Sequence, residues 1–164
     1  MNPTCTIRPL TAQDEPFLWE MLYQAIYVPE GQPPPERAIL AEPSIARYVA
    51  GWSHRPGDLG FAALEPLARQ PVGAAWLRLF SPAEPGYGFV SAEIPELSAA
   101  ILPAYRGQGL GTRLLEALLQ AAAQQYSAVS LSVSSENPAA RLYQKLGFET
   151  ISSSASSLTM LKKL

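Results

Sequence analysis

The sequence predicts a single α/β domain, and three of its features carry that expectation. Between residues 110 and 125 the apolar side chains Leu110, Leu114, Leu115, Leu118, Leu119 and Ala122 recur at the spacing of one helix face. On either side lies a segment of strand character: residues 97–102, and then Val129, Leu131 and Val133 alternating with Ser130, Ser132 and Ser134. Strand, helix and strand in that order predict a parallel crossover. Fifteen of the sixteen prolines precede residue 104, so the first two thirds are cut into short elements while the last third can hold longer ones.

Taken in order, residues 4–9 read as a short strand. Thr11 or Asp14 can cap the helix that follows, whose stripe is Phe17, Leu18, Met21, Leu22, Ala25 and Ile26. Residues 29–35 must form a loop, because the successive prolines Pro33, Pro34 and Pro35 remove backbone donors and fix an extended path. A shorter helix is expected around residues 37–52. Residues 60–64 and 72–80 read as consecutive strands joined by a proline-containing turn, and with residues 97–102 they form the centre of a sheet. Asn137 before Pro138 marks an N-cap with proline at the first helical position, and Gly147 stands where that helix would stop in a left-handed cap. The serines of residues 152–157 predict a loop or turn before a last strand at 158–161. No internal repeat and no second boundary interrupts the chain, so residues 1–164 read as one domain.

Composition narrows the function classes. A length of 164 residues can bury one substantial core, and 48% hydrophobic with 16% charged residues argues against a disordered chain. The net charge of −2 gives no positive field to draw the protein onto nucleic acid or an anionic membrane, so neither is an expected partner. Cys5 has no disulfide partner in the chain, and with the lone His54 it cannot build a Cys/His zinc site, so no metal is expected. The first residues lack the basic-then-apolar order of a signal peptide, which leads to an expected cytoplasmic location. The charge-free stretch 117–135 is interrupted by Gln120, Gln124, Gln125 and several serines, so no segment is expected to span a membrane.

The chemistry concentrates between residues 103 and 112, where a strand passes into the best-specified helix. Gly107, Gly109 and Gly111 leave the backbone amides unshielded there, and Arg106 adds a positive charge. Amides at a helix N-terminus with the helix dipole behind them suit a phosphate or pyrophosphate. A tight turn that merely needs glycine is the plainer explanation. No Gly-Lys-Ser/Thr follows as in a P-loop, and the third glycine comes too early for a dinucleotide fingerprint.

Arg106-Gly-Gln-Gly-Leu-Gly111 resembles the Arg/Gln-x-x-Gly-x-Gly/Ala pyrophosphate loop of the GNAT superfamily of N-acetyltransferases. The later segment Asn137-x-x-Ala140-x-Leu142-Tyr143-x-x-x-Gly147-Phe148 is similar to a second motif of that family, in the right order and with room between for a helix and a strand. The resemblance is strong over residues 97–148, weaker over residues 7–14 and essentially absent between residues 28 and 69, which would form the variable acceptor side. It implies a GNAT-like fold, with a mixed central sheet splayed near residues 97–102 and helices on both faces. It implies acetyl-coenzyme A as co-substrate, with Arg106, Gly107, Gln108, Gly109, Leu110, Gly111 and Thr112 at the pyrophosphate. The backbone of residues 99–102, with Ala99, Ile101 and Leu102 as named contacts, would pair with the pantetheine arm like an added strand.

The same resemblance implies direct attack by a primary amine, with no covalent enzyme intermediate. Tyr143 matches the motif tyrosine that could protonate the departing thiolate; packing beside Leu142 and Leu146 is its structural alternative. Glu96, at the start of the strand before the loop, matches a glutamate that acts through water as the base, with Glu93 in reserve; a solvated edge carboxylate is the competing account. Asn137 is either an N-cap alone or a contact to coenzyme A or an ordered water. Cys5 reads as an inert thiol and His54 as a solvated loop residue, while Tyr23, Tyr27, Trp52 and Trp76 either line a pocket or pack in the core. The acceptor, a small-molecule or peptide amine, is left open, and a homodimer through a sheet edge or the C-terminal strand is compatible with the sequence. Two other classes compete: a non-catalytic acyl-coenzyme A binding or sensing module, needing neither Glu96 nor Tyr143, and a phosphate-ligand module unrelated to coenzyme A.

Overall fold

The structure, a computed structural model, describes residues 4–164; residues 1–3 lie outside them. Seven strands form one sheet: β1 (Thr6–Pro9), β2 (Leu59–Leu64), β3 (Pro71–Arg78), β4 (Glu96–Ile101), β5 (Ala128–Ser134), β6 (Glu149–Ser153) and β7 (Ser157–Lys163). Their spatial order is β1-β2-β3-β4-β5-β7-β6, and every neighbouring pair is antiparallel except β4 with β5. That parallel pair is joined through helix α3 (Leu110–Ala122), the crossover expected from the sequence. The other helices are α1 (Glu15–Ala25), the single turn α2 (Pro43–Ala46) and α4 (Ala139–Lys145).

Both faces of the sheet are covered. On one face Leu114, Leu115 and Leu118 of α3 are buried against Ala75, Leu77, Val129 and Leu131, together with Ala140 of α4 and Phe148. On the other, Leu18, Met21 and Leu22 of α1 meet Ala74, Trp76, Val49 and Trp52. Successive residues of β3 thus alternate between two cores, which is why the strand reads as a continuous apolar run. Each fully buried leucine contributes about 1.5–3 kcal/mol relative to exposure, so the helices are held by their stripes rather than by propensity.

Both residues proposed as caps are used at the start of α1. A 3-10 turn at Ala12–Asp14 precedes the helix, and Asp14 accepts the Thr11 amide at 2.7 Å while pairing with Arg8 at 2.8 Å. Before α4, Asn137 Oδ1 accepts the Ala139 amide at 2.9 Å, and Gly147 takes its expected left-handed conformation at φ +100°.

Two expectations are corrected. Residues 37–52 form no continuous helix: a 3-10 turn at Arg37–Ala41 is cut from α2 by Pro43, whose missing N–H and fixed φ restart the chain. The serine-rich segment after Phe148 is no simple loop, since residues 149–153 form β6 along β7. All five β6 residues are exposed, so no hydrophobic alternation advertises the strand. Because β6 and β5 flank β7, the C-terminal strand has both backbone edges occupied and offers none to a second copy.

At the end of β3, Arg78 is fully buried. Its guanidinium donates to both Asp58 oxygens, at 3.0 and 2.8 Å, and to the carbonyls of Arg47 and Ala50, fastening the segment between α2 and β2 to the sheet. Removing one member of such a pair strands the other charge without water. Asp58→Ala is therefore expected to cost about 3–5 kcal/mol in chemical denaturation, whereas Arg37→Ala, at an exposed ion pair, shifts the midpoint little; equal small shifts would show that the buried pair adds nothing.

Candidate active site

The site begins where the sheet opens. β4 and β5 share a single register pair, Glu96 with Ser130, and the Ser130 amide donates to Pro95 O at 3.0 Å; beyond it the strands diverge. The splay expected near residues 97–102 is thus present. On its other side β4 remains paired with β3 from Glu96 to Ile101, and Leu102 N–H donates to Val72 O at 2.8 Å. That alternation turns the backbone groups of Ala99 and Ile101 away from β3 and into the gap. Leu102 differs in that its amide is bound to Val72 O and its carbonyl accepts from the Tyr105 amide.

A cleft of about 1020 Å³ fills the gap, lined by β4, by Ser132, Val133 and Ser134 of β5, by the C-terminal half of α1 and by the start of α4. A second cavity of about 480 Å³ lies under the 106–112 loop, and the two share Ile101, Arg106, Pro138 and Ala139. The two cavities therefore adjoin at these four residues, between the glycine loop and the splay.

Gly107 and Gly109 adopt φ values of +75° and +77°, where a side chain would be strained, yet a Cβ on either would meet no atom within 4 Å. At Gly111 a Cβ would only touch Leu142, at 3.8 Å. The space over these residues is open. Among the described residues, none of the amides from Gly107 to Thr112 donates to a protein acceptor. These free donors at the N-terminus of α3 form a cradle suited to an anion. Arg106 stands beside it, with Nε donating to Ile101 O at 2.9 Å and Nη2 to Gln24 Oε1 at 3.2 Å. Gly107, Gly109, Leu110, Gly111 and Thr112 line the smaller cavity, whereas the exposed Gln108 side chain lines neither.

At the closed end of the splay sits Glu96, 2% exposed. It is therefore no solvated edge carboxylate. Its Oε1 accepts from Tyr48 Oη and from the Gly88 amide, both at 2.8 Å, while the buried Oε2 has no hydrogen-bond partner among the described residues. Burial raises its pKa above the ordinary 4.5, and the hydrogen bonds from Tyr48 and the nearby loop amides only partly oppose the shift. Glu93, by contrast, is exposed and lies outside the cleft.

The phenol of Tyr143 lines the opposite wall, with its ring edge-on to Phe148 at 5.8 Å. Burial pushes its pKa up to about 12, and its hydroxyl has no partner among the described residues. Asn137 also lines the cleft; its Oδ1 is used by the cap, which leaves its side-chain amide donors. Tyr23 and Tyr27 line the cleft too, whereas Trp52 and Trp76 are core residues, exposed His54 lies elsewhere and Cys5 packs beside the α3 core.

Tyr48, Gly86, Gly88 and Tyr87 escape the sequence analysis. Tyr48 holds Glu96 and accepts the Tyr87 amide at 2.7 Å; a Cβ on Gly86 would collide with Glu96 Oε2, and one on Gly88 would meet the backbone of Leu131 at 2.6 Å. The available signal was the Gly-Tyr-Gly triplet at residues 86–88, where small residues permit close approach. Among the described residues no group of three or more His, Cys, Asp or Glu gathers as a metal site, and no helix is long and apolar enough to cross a membrane.

Comparison with known proteins agrees with this geometry. Residues 57–150 match the family described as the acetyltransferase (GNAT) domain. The fold is similar to a GCN5-related N-acetyltransferase from Kribbella flavida, at 20% identity and a TM-score of 0.66 over 98% of each chain. It is also similar to a phosphinothricin acetyltransferase from Sinorhizobium meliloti in complex with acetyl-coenzyme A, at 20% identity and 0.67 over 98% of this chain and 89% of that one. A ribosomal-protein-alanine N-acetyltransferase from Brucella melitensis gives 23% and 0.64, over 97% and 99%. No curated protein sequence matches significantly.

The raised carboxyl has a measurable sign. The unfolded chain ionises Glu96 near 4.5 while the fold resists, so this residue's contribution to stability is present below that value and is lost as pH rises through the higher folded pKa. Tyr48→Phe removes a hydrogen bond that favours the anion, so the Glu96 carboxyl, followed by carbon-detected NMR titration, should titrate at higher pH than in the parent; an unchanged midpoint would show that Tyr48 does not stabilise its charge.

Proposed function

The chain belongs to the GNAT acetyltransferase family, and on that premise we propose that it carries the acetyl group of acetyl-coenzyme A to a primary amine, by direct attack with both substrates bound. The observation that carries this reading is the channel itself: an anion cradle at one end, unpaired strand backbone in the middle and a buried carboxylate at the other end. The Sinorhizobium relative in complex with acetyl-coenzyme A, of the same fold, supports the choice of donor.

The free amides of residues 107–112, with Arg106, would hold the pyrophosphate, because the α3 dipole and three further guanidinium N–H groups face a dianion. Ala99 and Ile101 would pair with the extended amide-bearing arm as an added strand, and an N–H from the same edge would polarise the thioester carbonyl. When bound, acetyl-coenzyme A supplies the activated acyl group. Glu96 would take a proton from the ammonium through water; burial raises its pKa, which makes it a stronger base than an exposed carboxylate. Tyr143 would return a proton to the leaving thiolate, being held neutral by burial. A module that only binds the donor has no use for a buried carboxylate at the far end, which favours the enzyme.

Calorimetric titration should give micromolar binding of coenzyme A and acetyl-coenzyme A, abolished in an Arg106→Ala, Gly109→Val variant that remains folded by circular dichroism; no binding by the folded parent would refute the donor. Tyr143→Phe should lower turnover about 100-fold with donor affinity retained, and an unchanged rate across pH would remove Tyr143 as the acid. In Glu96→Gln the acid limb of the kcat/KM profile should disappear; its persistence would assign that limb to another group.

A further inference from the structure

The acceptor end of the cleft has a charge inventory unlike a site for polyamines or amino acids. Among the described residues lining the cleft, only Glu96 and Arg106 carry a formal charge. Arg106 belongs to the donor end, where Ile101 O and Gln24 anchor it. That leaves one charge, a carboxylate, for whatever enters beside α1. A second ammonium on the acceptor would find no counter-ion there, and a carboxylate would find no cation; each would lose hydration without compensation.

The rest of the lining is uncharged: serines of β4 and β5, Gln24 and Asn137 supply polar atoms, while Tyr23, Tyr27, Ile45, Tyr48, Tyr87 and Pro34 supply most of the carbon surface. The four tyrosines are polar in name only at this surface, because each hydroxyl is already engaged: Tyr23 donates to Pro35 O at 2.6 Å, Tyr27 to Glu136 O at 3.2 Å, Tyr48 to Glu96 at 2.8 Å and Tyr87 to Ser44 Oγ at 3.0 Å. What they present to the cleft is ring. The rings of Tyr48 and Tyr87 lie nearly parallel, 7° apart with centroids at 6.4 Å, in a surface suited to a flat apolar group. The Tyr23 ring already carries the Arg37 guanidinium, 4.3 Å from its centroid, and the other aromatic faces beside a buried carboxylate favour a single cationic head.

From this arrangement we infer that the acceptor is a primary monoamine, its ammonium the only charge and its body apolar, of the arylalkylamine type. The inference rests on the acetyl-transfer reading and specifies its acceptor. Pairs of amines differing in one charged group test it, with thiol release as the readout: 2-phenylethylamine against phenylalanine, and hexylamine against 1,6-diaminohexane. In each pair the singly charged amine should have the higher kcat/KM by at least about 100-fold. A preference for phenylalanine or for the diamine, with acetyl-coenzyme A turned over, would overturn the acceptor inference and leave acetyl transfer standing. If none of the four is acetylated, calorimetry of 2-phenylethylamine on the coenzyme A complex decides: saturable binding that phenylalanine fails to show upholds the recognition chemistry, and no binding overturns it. Failure to bind acetyl-coenzyme A in the first place would instead sink the acetyl-transfer reading.

Discussion

Everything that makes this molecule a candidate enzyme depends on one break in the hydrogen bonding of its sheet. β4 and β5 are neighbours and run parallel, yet only Glu96 and Ser130 are in register, and past that point the two strands part. A buried sheet that gives up a ladder must satisfy the exposed amides in another way. Here the gap becomes a cleft, and the backbone groups of Ala99 and Ile101 that β3 does not use become its floor, with Ile101 O taken by Arg106. The rest of the architecture keeps the break open without letting the sheet fall apart: β3 holds the far side of β4, β7 holds the far side of β5, and α3 spans the two from below.

The same break explains why the two ends of the channel differ in kind. Toward the C-terminal end of β4 the strands are far apart, and the chain turns through glycines into α3, so backbone donors and open space dominate. Toward the N-terminal end they converge, and a loop folded over the junction seals it. Gly86 and Gly88 allow that loop to lie against Glu96 and the β5 backbone, and Tyr48 arrives from the other layer to complete the packing. An anion fits the first environment and a single buried carboxylate the second. Both follow from strand geometry before any side-chain chemistry is considered.

How much of this was legible in the sequence depends on how local each feature is. The crossover, the cap at Asn137, the stop at Gly147 and the glycine loop are written in residues that are neighbours along the chain, and all lie where expected. Glu96 was found through its position ahead of the loop, but its burial was not, since that depends on Tyr48, 48 residues away, and on a loop whose only mark is a glycine pair. Strand parity decides which amides of residues 99–102 are free, and that parity is fixed by the pairing with β3, which takes the Leu102 amide, rather than by anything in those residues. β6 was missed because a fully exposed edge strand needs only backbone partners.

Arg106 shows a further consequence of this construction. Its guanidinium is exposed, yet two of its five N–H groups are fixed on Ile101 O and Gln24, which set the plane of the group before any ligand arrives. The long side chain has thus surrendered much of its rotational freedom during folding, so an incoming anion need not freeze it again. The same anchorage ties the loop to the last turn of α1, the helix that walls the opposite compartment. Through a single glutamine the loop at one end of the cleft and the helix that walls the other are joined by one hydrogen bond.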